Sequence, residues 1–399
     1  MSKQIQDAYI VAAVRTPVAK RNGAFRHVRP DDMLARVLRA VVAKVPNLDG
    51  NEIGDVITGC AMPEAEQGMN VARIGLLLAG LPDAVPGITI NRFCASGLQA
   101  VADAANRIRL GEADVMIAAG TESMSAMPQI MGNKVSLNPE IFAHAENLDI
   151  AYGMGLTAEK VAQQWGVSRE DQDAFAVESH RRACAAIASG RFQDEILPYV
   201  VKSYAPGADG TVRITERLVE HDEGPRPDAA ADSLGKLKPV FAARGSVTAG
   251  NSSQMSDGAA AVLLMSEAAV KRYDVRPIAR FSSFAVAGVP PEVMGIGPVE
   301  AIPRALARAG VSLGDIGWTE LNEAFAAQAL AVMRQIGMDP AKVNPLGGAI
   351  ALGHPLGATG AIRTATLMAA MQRDPGLRYG MISMCIGTGM GAAGIFERV

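Results

Sequence analysis

Aromatic side chains are scarce in this chain. Phe, Trp and Tyr together make up 5% of 399 residues, and only two are Trp. Cysteine is rarer still: four residues, at positions 60, 94, 184 and 385, with no CxxC pair among them. That spacing excludes an obvious metal site and a secreted disulfide framework. Dispersed thiols fit a reducing cytoplasm. No run of 18 apolar residues occurs, so no transmembrane helix and no membrane insertion are expected. The start, MSKQIQDAYIVAAVRTP, lacks the apolar core of a signal peptide. The end, IFERV, carries no peroxisomal or retention tripeptide. A net charge of -3 gives no basis for a nucleic-acid or anionic-membrane partner. What remains is an ordinary soluble composition, 49% hydrophobic and 20% charged, long enough for two or three domain-sized units.

One stretch organises the rest: residues 87–111, GITINRFCASGLQAVADAANRIRLG. It reads as a buried strand, a sharp turn and an amphipathic helix. Leu98, Val101, Ala105 and Ile108 recur at spacings of three and four. Gly111 suits a C-cap. Cys94 falls in the turn, at the start of the helix. The positive end of the helix dipole there predicts a lowered thiol pKa and a nucleophile. Taken alone, a small buried hydrophobe is the commoner fate of such a cysteine.

Strand-like and helical patterns alternate through the first 120 residues, which indicates parallel α/β layers. The last 125 residues or so repeat the same order. LGDIGWTELNEAF mirrors LDGNEIGDVITGC. KVNPLGGAIALGHPLGATGAIRTATLMAAM mirrors TINRFCASGLQAVADAANRI, and GMISMCIGTG mirrors VMIAAGTE. Such a repeat predicts a duplicated unit packed about a pseudo-twofold axis. The segments are expected at 1–120 (first half), 121–246 (an inserted loop or lid domain), 247–275 (return to the first half) and 276–399 (second half). The insertion is Met-rich early on, at Met124, Met127, Met131 and Met154.

Four Gly-rich turns carry polar or reactive groups at strand ends, where α/β folds place their sites. They hold Cys94, Asn322 in NEAFA, His354 in GHPLGATG and Cys385 in CIGTGMG. His354 can accept a thiol proton at neutral pH, or serve as a structural histidine. Asn322 can donate to an oxyanion, or cap a helix. Cys385 can move a proton on carbon, or fill a strand. The glycines after it allow an anion nest. The hydroxyl-rich run VTAGNSSQMSDGAAA suits a polar ligand tail or a plain loop.

Taken together, NRFCASGLQA, GNSSQMSDGAA, NEAFA, GGAIALGHPLGATG and CIGTGMGAAGIFE resemble the thiolase family, from residue 8 to the end. An RTP turn near the start, AGTESMS and MGIGP belong to the same likeness. The resemblance implies a duplicated α/β thiolase fold: two βαβαβαββ halves in a layered αβαβα arrangement, with the inserted loop domain. It implies an acyltransferase that cleaves 3-ketoacyl-CoA with coenzyme A, the degradative, β-oxidation type. Cys94 matches the nucleophile, His354 the base that activates it, and Cys385 the acid/base that protonates the departing enolate. Asn322, through a water, and His354 would cradle that enolate. The N–H groups of Cys94 and Gly387 would cradle the acyl-enzyme oxyanion. Ser253 matches the contact to the coenzyme A pantetheine, and Met154 the lining of the acyl pocket. Coenzyme A is a substrate, and no metal or redox cofactor is implied. A homodimer or homotetramer is, with a β-oxidation partner subunit as a further option.

One position departs from the biosynthetic branch, which carries a His just before the pocket methionine. Here the run is AYGMGLTAE, with Gly153 in that place. This resembles the degradative branch. Two readings stand beside it: an acetyl-CoA C-acetyltransferase forming acetoacetyl-CoA, and a non-catalytic acyl-CoA-binding protein of the same fold. A ketoacyl-synthase-type enzyme is disfavoured by the second cysteine in the CIGTG turn.

Overall fold

The computed structural model describes residues 5–126, 137–206 and 211–399. Met127 and Met131 lie outside them. In chain order the strands are β1 (Ala8–Arg15), β2 (Ala19–Lys20), β3 (Ile53–Gly59), β4 (Gly87–Ile90), β5 (Val115–Ser123), β6 (Tyr199–Pro206), β7 (Val212–Val219), β8 (Ser256–Ser266), β9 (Ala279–Gly288), β10 (Ile316–Leu321), β11 (Tyr379–Ile386) and β12 (Met390–Arg398). The helices are α1 (Pro30–Val42), α2 (Val71–Leu78), α3 (Ser96–Arg109), α4 (Glu140–Ala143), α5 (Met154–Gln164), α6 (Arg169–Ala188), α7 (Ala231–Gly235), α8 (Glu267–Arg272), α9 (Gly297–Ala309), α10 (Ala326–Ile336), α11 (Ala349–Leu352) and α12 (Thr359–Arg373).

Local sequence accounts for these elements. α1 opens with Pro30 at its first position and Asp31 and Asp32 in its first turn, both favourable at a helix N-terminus. Its buried Met33, Leu34, Val37, Leu38 and Val41 form one stripe. β8, SDGAAAVLLMS, is buried along its whole length, as a continuous apolar run between two covered faces should be.

The large sheet runs β10–β11–β12–β9–β1–β8–β5–β3–β4, with β2 on β8. β3 is parallel to β4 and β5, and β10 to β11; the remaining pairs are antiparallel. The sheet is therefore mixed, where the alternating pattern predicts parallel layers. The reason is connectivity. β12 follows β11 through the tight turn at 387–389, and β8 returns from the insertion, so neither is reached through a crossover helix. The two halves join where β1 meets β9, through Tyr9–Arg280 and Ile10–Ala279.

Three apolar cores separate the layers. α1 and α2 pack outside the first half of the sheet, and α9 and α10 outside the second. α3 and α12 share the middle core, and α12 is buried from Thr359 to Met371. These two helices cross so closely that neither crossing residue tolerates a Cβ. One on Gly97 would lie 2.6 Å from the Ala361 nitrogen, and one on Gly360 2.1 Å from the Leu98 nitrogen. The crossing points are equivalent positions of the repeat, so the internal symmetry passes through them. The repeated short strand of KVN is reduced to a single bridge, Thr319–Val343.

The segment between β5 and β8 is clamped to the first half by Arg15 of the RTP turn. Its guanidinium meets Glu195 at 2.6 Å and Asp222 at 2.7 Å, all three fully or nearly buried.

Candidate active site

The Cys94 turn is built by its neighbours. Asn91 Oδ1 accepts the Phe93 N–H at 2.8 Å, and Asn91 Nδ2 donates to the Ala61 carbonyl at 3.0 Å. Ser96 Oγ accepts the Arg92 N–H and donates to the Phe93 carbonyl. Phe93 is held at φ 44°, a left-handed conformation that is an outlier for a bulky residue. The effect is a tight turn, Phe93–Ala95, that presents Cys94 before α3 begins. The backbone of Gly387 and of Cys94 itself favours the thiolate at Sγ, each pulling its pKa down.

The dipole argument predicts a lowered thiol pKa, and the structure overturns it. Burial pushes the Cys94 thiol up to about 12, against the pull of those two backbone groups, and the Glu122 carboxylate adds to the rise. Cys94 lies in the preceding turn rather than in α3, and desolvation exceeds what a helix end supplies. At rest Cys94 is a thiol.

His354 follows α11 and lies in the turn that leads into α12. Its Nδ1 is 2.6 Å from Thr359 Oγ1, whose own proton goes to the Pro355 carbonyl at 3.0 Å. Thr359 therefore accepts, Nδ1 carries the proton, and Nε2 keeps its lone pair. Asn322 Nδ2 reaches that Nε2 at 3.2 Å. Burial, helped by the Arg363 guanidinium, holds the His354 pKa down at about 3. The imidazole is neutral and is a ready acceptor.

Asn322 does not cap a helix, because α10 begins at Ala326 with Phe325 as its N-cap. Its backbone N–H instead binds the Ser383 carbonyl at 2.9 Å, two residues before Cys385. Its buried Oδ1 has no partner among the described residues, which leaves an acceptor for a water or a ligand. The adjacent Glu323 carboxylate binds Ser179, Asn344 and the Ile350 N–H, fixing the whole turn.

Cys385 is fully buried among Ala158, Val247, Met294, Ala324 and Phe325. Burial raises its pKa well above the ordinary thiol value, and the nearby Cys94 adds to the rise. Met154, first residue of α5, comes within 3.4 Å of where a Cβ on Gly387 would stand. Gly153 caps that helix, and a Cβ there would meet nothing within 4 Å among the described residues. Ser253 is half-buried and donates its N–H to the Ala324 carbonyl, two residues past Asn322. Beside it, Gln254 lines a cavity of 430 Å³ with Arg226, His180, Ser233 and Leu237.

Cys94, Cys385, Gly387 and Met154 thus form one group, and His354 and Asn322 another. Ser253 joins the second through Ala324. Sequence reasoning missed Thr359, Arg363 and Glu122. Thr359 and Glu122 sit inside quoted motifs, GHPLGATG and AGTESMS, but nothing in their spacing gave them a task. Among the described residues no group of three or more His, Cys, Asp or Glu side chains is arranged to hold a metal. No helix among them is long and apolar enough to cross a membrane.

Known proteins resemble this chain along nearly its whole length. The family model described as thiolase, N-terminal domain, matches residues 8–268, and that described as thiolase, C-terminal domain, matches residues 275–398. A 3-ketoacyl-CoA thiolase of Bacillus subtilis is 53% identical over 98% of this chain and 100% of its own. The peroxisomal 3-ketoacyl-CoA thiolase 2 of Arabidopsis thaliana is 48% identical over 98% of this chain and 84% of its own. The crystal structure of the Bacillus anthracis acetyl-CoA acetyltransferase superposes with a TM-score of 0.89 at 39% identity, covering 100% of both chains. With both halves matched and relatives this similar along nearly its whole length, the chain belongs to the thiolase family.

Proposed function

We propose that this thiolase cleaves 3-ketoacyl-CoA thioesters with coenzyme A, giving acetyl-CoA and a shortened acyl-CoA. The observation that carries the reading is the fixed imidazole of His354, its Nδ1 on Thr359 at 2.6 Å and its Nε2 3.2 Å from Asn322 Nδ2.

His354 Nε2 takes the Cys94 proton as Sγ attacks the keto carbon. The N–H groups of Gly387 and Cys94 stabilise the oxyanion that forms there. The carbon–carbon bond breaks, and the acetyl-CoA enolate accepts the proton of Cys385. Protonated His354 and a water on Asn322 stabilise its oxygen. The Cys385 thiolate then takes the coenzyme A proton. The coenzyme A sulfur displaces Cys94, which recovers its proton from His354. Every proton returns, and no metal or redox group is needed.

The cavity beside Ser253 suits the coenzyme A tail. Arg226 matches phosphate, and Leu237 and Ser233 match the part-apolar pantetheine arm. Open space at Gly153 and the apolar wall around Cys385 favour acyl chains longer than acetoacetyl. The superposed acetyl-CoA acetyltransferase supports the alternative, acetoacetyl-CoA formation. A non-catalytic acyl-CoA-binding role is the third reading.

Homodimer or homotetramer assembly belongs to the same proposal. β4 ends the sheet with a free edge, and Ile88, Phe93 and Met69 beside it are exposed. A β-oxidation partner subunit is a further option. The four free cysteines support a reducing compartment such as the cytoplasm.

The test is the rate of coenzyme A-dependent cleavage across 3-ketoacyl-CoAs of rising chain length. Activity retained beyond acetoacetyl-CoA is expected. Cleavage confined to acetoacetyl-CoA would select the acetyltransferase reading, and no cleavage at all the non-catalytic one.

A further inference from the structure

The carboxylate of Glu122 takes no part in the steps above, yet it touches both halves of the site. Its Oε2 accepts the Ala61 N–H at 2.8 Å and the Gly357 N–H at 2.7 Å. Its Oε1 accepts the Met62 N–H at 3.3 Å and the Gln67 amide, and the Cys60 thiol faces it at 3.8 Å. Glu122 is fully buried and all of these partners are donors. That demands the acceptor-only carboxylate, since a protonated form would lack a partner for its O–H among them.

Each of the two bridged groups leads to a reacting residue. The Ala61 carbonyl holds Asn91, and Asn91 holds the Phe93 N–H next to Cys94. Gly357 lies between His354 and Thr359, the residue that orients the imidazole. A single oxygen therefore links the support of the nucleophile to the support of the base, across the two halves of the chain.

The internal repeat explains how this arose. The turns Phe93–Ala95 and Leu356–Ala358 lead into α3 and α12 in the same way, so Gly357 stands where Cys94 stands. β11 packs on the first turn and β5 on the second. Cys385 and Glu122 are each the second-to-last residue of those strands. Cys385 by Cys94 and Glu122 on Gly357 are two copies of one arrangement, one reactive and one structural.

We propose that Glu122 is a positioning residue, which sets the separation of Cys94 and His354 by tying Ala61 to Gly357. The proposal rests on the nucleophile and base roles given above. Glu122→Gln keeps the shape but must set an amide NH2 against N–H donors: against Ala61 and Gly357 it breaks the bridge outright, and against Met62 and Gln67 it is repelled and drawn off the bridge.

Iodoacetamide alkylation of the full-length protein, mapped by peptide, tests this across neutral pH. In the wild type His354 takes the proton, so the Cys94 rate changes little with pH. In Glu122→Gln the Cys94 rate should fall at least about tenfold at neutral pH. Its logarithm should rise by about one per pH unit, as for an unassisted thiolate. The kcat should fall alongside, with KM within about twofold. Wild-type rate and slope in the variant would overturn the proposal, as would a loss of kcat with an unchanged slope, which marks a structural prop only. If Glu122→Gln does not fold, Glu122→Asp carries the test, being too short to reach both N–H groups. Wild-type Cys94 labelling no faster than Cys60 would instead overturn the nucleophile reading.

Discussion

Cys94 and His354 each rest neutral, and desolvation holds each of them there. The His354 pKa, down at about 3 instead of 6.5, has a definite sign for stability. The unfolded chain binds a proton below pH 6.5 that the folded one refuses until about 3, so stability falls as pH drops through that interval. Cys94, up at about 12 from 9.0, acts at the other end, and stability falls as pH rises above 9.0. The urea-midpoint difference between wild type and His354→Asn should therefore be flat above pH 6.5 and shrink as pH falls below it. The same neutrality predicts that cleavage keeps its rate below the ordinary histidine range. An acid limb centred at 6.5 would contradict a buried, neutral base. Cys94→Ser should cut cleavage by roughly 10³-fold or more while the melting temperature holds. Iodoacetamide should reach Cys94 before Cys60, which is fully buried. It should also outpace Cys184, whose thiol pKa is raised by burial and the Asp228 carboxylate and which takes no part in the mechanism.

At the scale of elements, two devices hold the site together. The first is the crossing of α3 and α12. Gly360→Ala would bring a methyl to 2.1 Å from a backbone nitrogen, which no rotamer relieves. A loss of about 1–3 kcal/mol or more is expected from overpacking, read from the urea midpoint. A neutral outcome would mean that the helices are free to separate. The second is the Arg15 clamp on Glu195 and Asp222. Arg15→Met leaves two buried carboxylates without their cation, and such a break costs about 3–5 kcal/mol. Both devices lie in motifs visible in the sequence, RTP and GHPLGATGA. Their partners, at 97, 195 and 222, are too distant along the chain for any local pattern to reveal.

At the scale of the molecule, the repeat was the most legible feature, and it carried the fold. LGDIGWTEL and NEIGDVITG become β10 and β3, and the two Gly-rich turns become the entries to α12 and α3. The direction of β8 and β12 was not legible, because it depends on whether a helix or a hairpin makes the connection. Cys94, Asn322 and His354 were legible as turn residues and stand between elements, whereas Cys385 is the second-to-last residue of β11. Their charge states were not legible, since a thiol's pKa depends on the surfaces folded over it, and Met294 and Phe325 come from elsewhere in the chain. Glu122 was illegible for the same reason: all its partners lie in other segments. The free edge of β4 carries a prediction at this scale too. Sedimentation should give a mass of at least two chains, and Ile88→Lys should lower it. A wild-type monomer would contradict the assembly proposed here.

The central claim is that acyl transfer passes through Cys94. Mixing the protein with a 3-ketoacyl-CoA in the absence of free coenzyme A, followed by mass analysis of its peptides, tests this most directly. The shortened acyl group is expected on the peptide bearing Cys94, with release when coenzyme A is added. Acetyl-CoA formed with no acyl group on Cys94, or with the acyl group on Cys385 instead, would contradict it.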